Sequence, residues 1–182
     1  KGQAERLRDV GHTLSPTKFL KMKYSLSDAF TASAEKTPIL RLGDGITRFR
    51  IISDTFVQCL SLFVKTSDGK GYSKLWEHDS EQPELDAGHE YEKRKPKKVV
   101  LFKAVTEEEP NKAQILAAPI TVTEQMLEEA NERDGLTVSW FKCTRSGSGM
   151  NTQYRVRSEE PTAFNSDWAD LAAGLDFSEA MQ

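Results

Sequence analysis

From residue 48 onward, short β-branched and aromatic runs alternate with polar turns: RFRIISD, FVQCLSLFVKT, KKVVLFKAV, AQILAAPI, LTVSWFKCT and NTQYRVRS. Runs of this length and composition predict six strands. Turn chemistry separates them at Ser67-Asp68-Gly69 with Gly71, at Pro110-Asn111 and at Gly147-Ser148-Gly149, the last of which reads as a hairpin. Between Pro119 and Gly135 the period becomes helical. TVTEQMLEEANERD places Met126, Leu127 and Ala130 on one face, with Thr121 or Thr123 as cap and Glu124 in the first turn. One helix before the last hairpin, with no βαβ alternation, predicts a mainly β fold in which antiparallel strands close, or nearly close, into a small barrel. Residues 76–96 are polar and aperiodic, and read as a long mobile loop.

Composition divides the chain further. Residues 1–45 form a basic lead-in with a KFLKMKY cluster and a short helix at 27–36, capped by Ser27 and ended by Pro38. Residues 46–160 form the domain. The formal net charge of -3 conceals an asymmetry: residues 159–182 carry six acidic side chains and no basic one, leaving the preceding 158 residues at +3. Residues 161–182 therefore read as an acidic tail, disordered when free of a partner because its few apolar residues cannot offset the entropy of ordering. The apolar stretch at 115–120 is far short of the roughly 18 residues a bilayer span needs, so no membrane association is expected and the default location is cytoplasmic. Cys59 and Cys143 sit within apolar runs as reduced core residues, and His12, His78 and His89 lack zinc-ligand spacing to them. No metal or cofactor is expected.

A catalytic reading would start in the 76–96 segment, where His78, Asp79, Glu81, Glu84, Asp86, His89, Glu90 and Glu92 resemble a divalent-metal site only in composition. A nuclease needs carboxylates converging from rigid elements, and no nucleophile has a neighbouring His and acid. The GDG at 43–45 and GSG at 147–149 lack the context of a phosphate-cradling loop. Basic and aromatic residues interleaved on strands are the stronger signal, since single-stranded nucleic acid needs cations for phosphates and aromatic faces for bases. Strand alternation puts Trp140, Lys142, Arg155 and Arg157 on one side of the final hairpin, and Arg48 and Arg50 opposite Phe49 and Ile51. Lys65, Tyr72, Lys74, Trp76 and Lys97 complete the candidates, with Phe63 and Tyr91 as further aromatics near loop mouths among Lys70, Lys93, Arg94 and Lys95.

Residues 48–161 resemble the OB-fold single-stranded DNA-binding proteins encoded by tailed bacteriophages. The likeness is carried by RFRIIS, by KKVVLFKAV followed by QILAAPITVTEQML, and above all by RSGSGMNTQYRV, similar to that family's Gly-x-Gly-hydrophobic-x-Thr-x-Tyr-x-Val hairpin at Gly147, Gly149, Met150, Thr152, Tyr154 and Val156. The resemblance implies an OB-type barrel, sequence-tolerant binding of single-stranded DNA without catalysis, and a role in phage DNA replication, recombination or repair inside an infected bacterial cell. For such binding the residue pattern itself assigns Tyr72, Trp76 and Trp140 to stacking on bases and Arg48, Arg50, Lys65, Lys74, Lys97, Lys142, Arg155 and Arg157 to the phosphates. It also gives the tail a role as a handle for replication or recombination proteins, with Trp168, Asp170, Leu171, Asp176 and Phe177 as an aromatic anchor among carboxylates. The alternative is a protein interaction module acting through that tail; monomer and dimer both stay open.

Overall fold

A two-residue strand, β1 (Ile39–Leu40), precedes a single long strand, β2 (Gly45–Lys65), that absorbs the first two apolar runs. This computed structural model describes residues 39–181; the expected helix at 27–36 and most of the lead-in lie outside the described residues. There follow β3 (Gly71–Glu77), β4 (Glu90–Tyr91), β5 (Lys97–Thr106), β6 (Gln114–Pro119), helix α1 (Ile120–Glu132), β7 (Trp140–Ser146), β8 (Gln153–Ser158), helix α2 (Asp167–Ala173) and a 3-10 turn (Phe177–Met181). The fold is mainly β. Its strands run β1-β6-β5-β2-β7-β8, with β3 and β4 also paired to β2. Where the sequence predicts an antiparallel barrel that closes or nearly closes, this path is an open mixed sheet in which β1 lies parallel to β6. Among the described residues no helix is long and apolar enough to cross a membrane.

β2 serves two cores because its register against β5 shifts between Ile51 and Phe56. Opposed residues share a face, so Ile51 beside Ala104 and Phe56 beside Phe102 put odd positions on one face before the shift and even positions after it. The first face carries Phe49, Ile51, Phe102, Leu116 and Phe141, which pack with Val122, Met126 and Ala130 of α1. The helix begins directly after Pro119 without a side-chain cap, so neither Thr121 nor Thr123 has the expected role; the Thr123 hydroxyl instead donates to Pro119 O at 3.2 Å. Leu127, expected on the buried face, is exposed. Glu129 ties α1 to β8 by accepting from Ser158 N (2.9 Å), Ser158 Oγ (2.7 Å) and Arg157 Nη1 (2.8 Å).

The acidic segment is folded, contrary to expectation, and belongs to the same compact unit as the sheet. It covers the second face. Trp168, 6% exposed, and Ala172 pack with Ile52 and Val105; Ala180, Leu175, Phe177 and Met181 pack with Cys59, Leu75, Leu101 and Ile115. Its few apolar residues suffice because they meet a ready apolar surface, and polar clasps add to them. Lys103 Nζ donates to Ala172 O at 2.7 Å and sits 5.2 Å from the Phe177 ring centroid. Arg50, expected at the DNA surface, is fully buried. Its Nε and Nη2 donate to Thr137 O (3.1 and 2.8 Å), Nη2 also to Thr162 O (2.9 Å), and Nη1 to Thr162 Oγ1 (2.6 Å) and Ala163 O (3.3 Å). The guanidinium lies 5.0 Å from the Trp168 ring centroid. Burial lowers its pKa, and it has no carboxylate partner among these bonds. Cys59 and Cys143 are free and buried, and burial pushes both thiols up to about 11.

Two outcomes follow from these clasps. Arg50→Lys keeps the charge but loses the fork, and should cost about 2–4 kcal/mol in urea unfolding while opening residues 161–181 to limited proteolysis. Burial pushes the Glu129 carboxyl up, but the hydrogen bonds from Ser158 and Arg157 outweigh it and hold the pKa below the usual 4.5. A lowered folded pKa means that this stabilisation is full above the unfolded value and is lost as pH falls through the folded one. The urea midpoint of Glu129→Gln should therefore decline less than that of the parent between pH 5 and the acid limb.

Candidate nucleic-acid interface

Register assembles the Trp140 end of the sheet much as alternation suggests. Arg48 lies opposite Lys142, which lies opposite Arg157; Thr144 lies opposite Arg155, and Arg50 opposite Trp140. Three of the five basic residues there are already engaged. Arg48 holds Glu159 with two nitrogens, Nε at 2.8 Å, and also pairs with Glu107; the Glu159 hydrogen bond, against some desolvation, raises its pKa further. Trp140 has the Arg48 guanidinium 5.4 Å from its centroid and Trp168 edge-on at 5.9 Å. Arg157 is taken by Glu129, and Arg50 is buried. Lys142 and Arg155 remain exposed without an ion pair among the described residues. A groove of about 530 Å³ here sets Arg41, Arg48 and Lys142 against Glu107, Glu108 and Glu159, a balance that offers phosphates no net attraction.

At the far end of β2 the two faces differ. On one, Trp76 is only 4% exposed, with Tyr91 edge-on at 6.1 Å; Tyr72 is half-buried with His89 edge-on at 6.0 Å. Tyr91 enters through β4, which pairs with Val64 and Lys65, and its hydroxyl donates to Pro83 O at 2.9 Å. The 76–96 segment thus starts as the end of β3 and continues as an ordered cover, which withdraws Trp76 from the stacking role expected of it. Lys74 shares this face, opposite Leu62. Among the described residues no three His, Cys, Asp or Glu side chains are placed to hold a metal ion.

On the other face Phe63 is 40% exposed, with Ser61 and Lys65 on its own strand, Ser73 opposite it and Lys97 opposite Ser61. Its ring lies over Gly71. A Cβ there would overlap the ring and come 2.6 Å from Val64 O, so glycine is what lets the aromatic lie down on the neighbouring strand. Grooves of about 270 and 460 Å³ meet beside it, sharing Glu92 and Arg94. Together they are lined by Lys65, Lys93, Arg94, Lys95 and Lys97 against Glu90 and Glu92. Arg94 pairs with Glu92 at 3.2 Å; the four lysines have no ion pair among the described residues. Of the sequence candidates, the structure brings together Lys65 and Lys97 here, leaves Lys74 and Tyr72 on the opposite face, and places Arg48, Trp140, Lys142, Arg155 and Arg157 at the other end.

The expected partner anchor is also engaged within the chain. Trp168 donates from Nε1 to Pro110 O at 2.8 Å, and Leu171 and Phe177 are partly buried on the sheet. Asp170 and Asp176 are exposed, the latter accepting from Ser178 N at 2.9 Å. A protein meeting this segment as it stands would find its carboxylates rather than its aromatic anchor. Comparison with protein-family models, with characterised proteins and with solved structures returns no match to the chain. Gly71→Ala should lower stability by about 1–3 kcal/mol and expose the Phe63 ring further, read by thermal unfolding and by the protection of amides along β3 in hydrogen exchange.

Proposed function

We propose that this protein is a noncatalytic single-stranded DNA-binding protein, sequence-tolerant in its main contacts, whose binding surface is the Phe63 groove. The observation that carries the reading is an exposed aromatic ring, seated on Gly71 and flanked by four lysines that make no ion pair among the described residues. Cations track the phosphates and the ring stacks on a base, a combination that suits unpaired strands because every base has a π-face. A strand continuous through its bulge and a helix set between β6 and β7 support an OB-type reading of the sheet. The RSGSGMNTQYRV hairpin supports a likeness to the phage-encoded proteins, and with it a role in DNA replication, recombination or repair.

The test is fluorescence anisotropy of labelled oligo-dT, its duplex and an RNA of equal length at two salt concentrations without magnesium. The single DNA strand should bind tightly and lose affinity steeply with salt, with the duplex much weaker. Phe63→Ala should cost about 1–3 kcal/mol. Lys95→Gln and Lys97→Gln should each reduce the salt slope by about 0.7. Trp140→Ala should leave the affinity for the single strand unchanged, since its ring is engaged by Arg48 and Trp168. Duplex binding equal to single-strand binding would overturn the reading, and preference for the RNA would redirect it.

A further inference from the structure

The Phe63 groove does not end at the aromatic. Its Ser61 and Ser73 also line a smaller pocket of about 180 Å³, which extends to Arg41 in the link between β1 and β2. Leu75, Val99 and Ala117 form the apolar wall of that pocket. Strand pairing explains the juxtaposition: Ser61 stands opposite both Leu75 and Lys97, and Ser73 opposite Phe63, so the hydroxyls fall between the aromatic and the wall. Among the described residues neither hydroxyl nor the Arg41 guanidinium has a side-chain partner. A half-open pocket with an apolar wall and a few unspent polar groups suits a small planar ligand.

We infer that this pocket takes a single pyrimidine base of the thymine type from the strand stacked on Phe63. The inference rests on the proposed DNA-binding reading and deepens it, because stacking alone distinguishes little between bases. Thymine offers carbonyl oxygens that serine hydroxyls and a guanidinium can meet as donors, and a methyl group that an apolar wall can receive. Adenine turns an amino group toward the same donors and brings a second ring into a space of this size. The chain then combines a tolerant platform with one selective subsite.

The experiment measures affinities for oligo-dT and oligo-dA of equal length with the full chain, Ser73→Val, Ser61→Ala and Phe63→Ala. Because oligo-dA stacks on itself, the free strands differ before any protein is added. That difference is common to all four proteins, so the change in the dT:dA ratio between them isolates the pocket. Ser73 lies on an edge strand, where a β-branched residue is well tolerated, and valine there removes a hydroxyl while filling space. The expected result is a dT:dA ratio reduced about fivefold in Ser73→Val and in Ser61→Ala with unchanged salt dependence, whereas Phe63→Ala weakens both strands alike. A ratio unchanged in both serine variants, with parental binding of oligo-dT intact, would overturn the pocket and leave the DNA-binding reading standing. Failure of the parent to bind either strand would overturn both.

Discussion

A buried guanidinium held by carbonyls and a hydroxyl, with no carboxylate partner among the described residues, is the constraint around which the molecule is arranged. Moving such a charge out of water is costly unless every N–H finds an acceptor. Arg50 finds them in Thr137, Thr162 and Ala163, which belong to the connection before β7 and the stretch after β8. Satisfying one side chain thus fixes the path by which the chain leaves the sheet. That path delivers Trp168 to the apolar surface at Ile52 and Val105 and lets Lys103 seize the end of α2. The apolar clusters on both faces of the sheet are then covered, one by α1 and the other by a segment whose composition suggests a solvated tail.

Two groups of basic residues lie along β2, and what separates them is the use already made of their charge. Arg48 and Arg157 hold sheet, helix and exit strand together through Glu107, Glu159 and Glu129. Among the described residues Lys65, Lys93, Lys95 and Lys97 make no ion pair, so an incoming polyanion would displace no such partner from them. A cation engaged in folding offers little to a ligand, because binding must first break what the fold has made. Phe63 and Trp140 differ in the same way: one ring rests on a glycine with its outer side open, the other is enclosed by Arg48 and Trp168.

Local pattern carried the strands from β5 to β8 and the helix between them, since their alternation is visible in ten residues or fewer. It failed where the deciding neighbour is remote. RFRIISD and FVQCLSLFVKT read as two separate strands, but the shifted pairing with β5 carries the backbone through as one. YSKLWE has too polar a pattern to announce β3, and it exists because β2 offers an edge. Arg48 and Arg50 look equivalent by alternation; only the folded chain sets one against Glu159 and the other among carbonyls 87 and 112 residues away. Gly71 read as turn chemistry, and its service to Phe63 depends on a cross-strand approach that composition does not record.

The order of synthesis gives the Arg50 clasp a kinetic meaning. When β8 has been made, the hydrogen-bonded sheet and α1 can form, but Ile52, Leu101, Val105 and Ile115 still face water on the other side. Thr162 and Trp168 follow in the chain, so a nascent protein passes through a stage in which an apolar surface lies beside a guanidinium that still lacks its Thr162 and Ala163 acceptors. Such a surface is prone to association until its cover is made. The acidic segment then acts, within the polypeptide itself, as the chaperone of the sheet that precedes it.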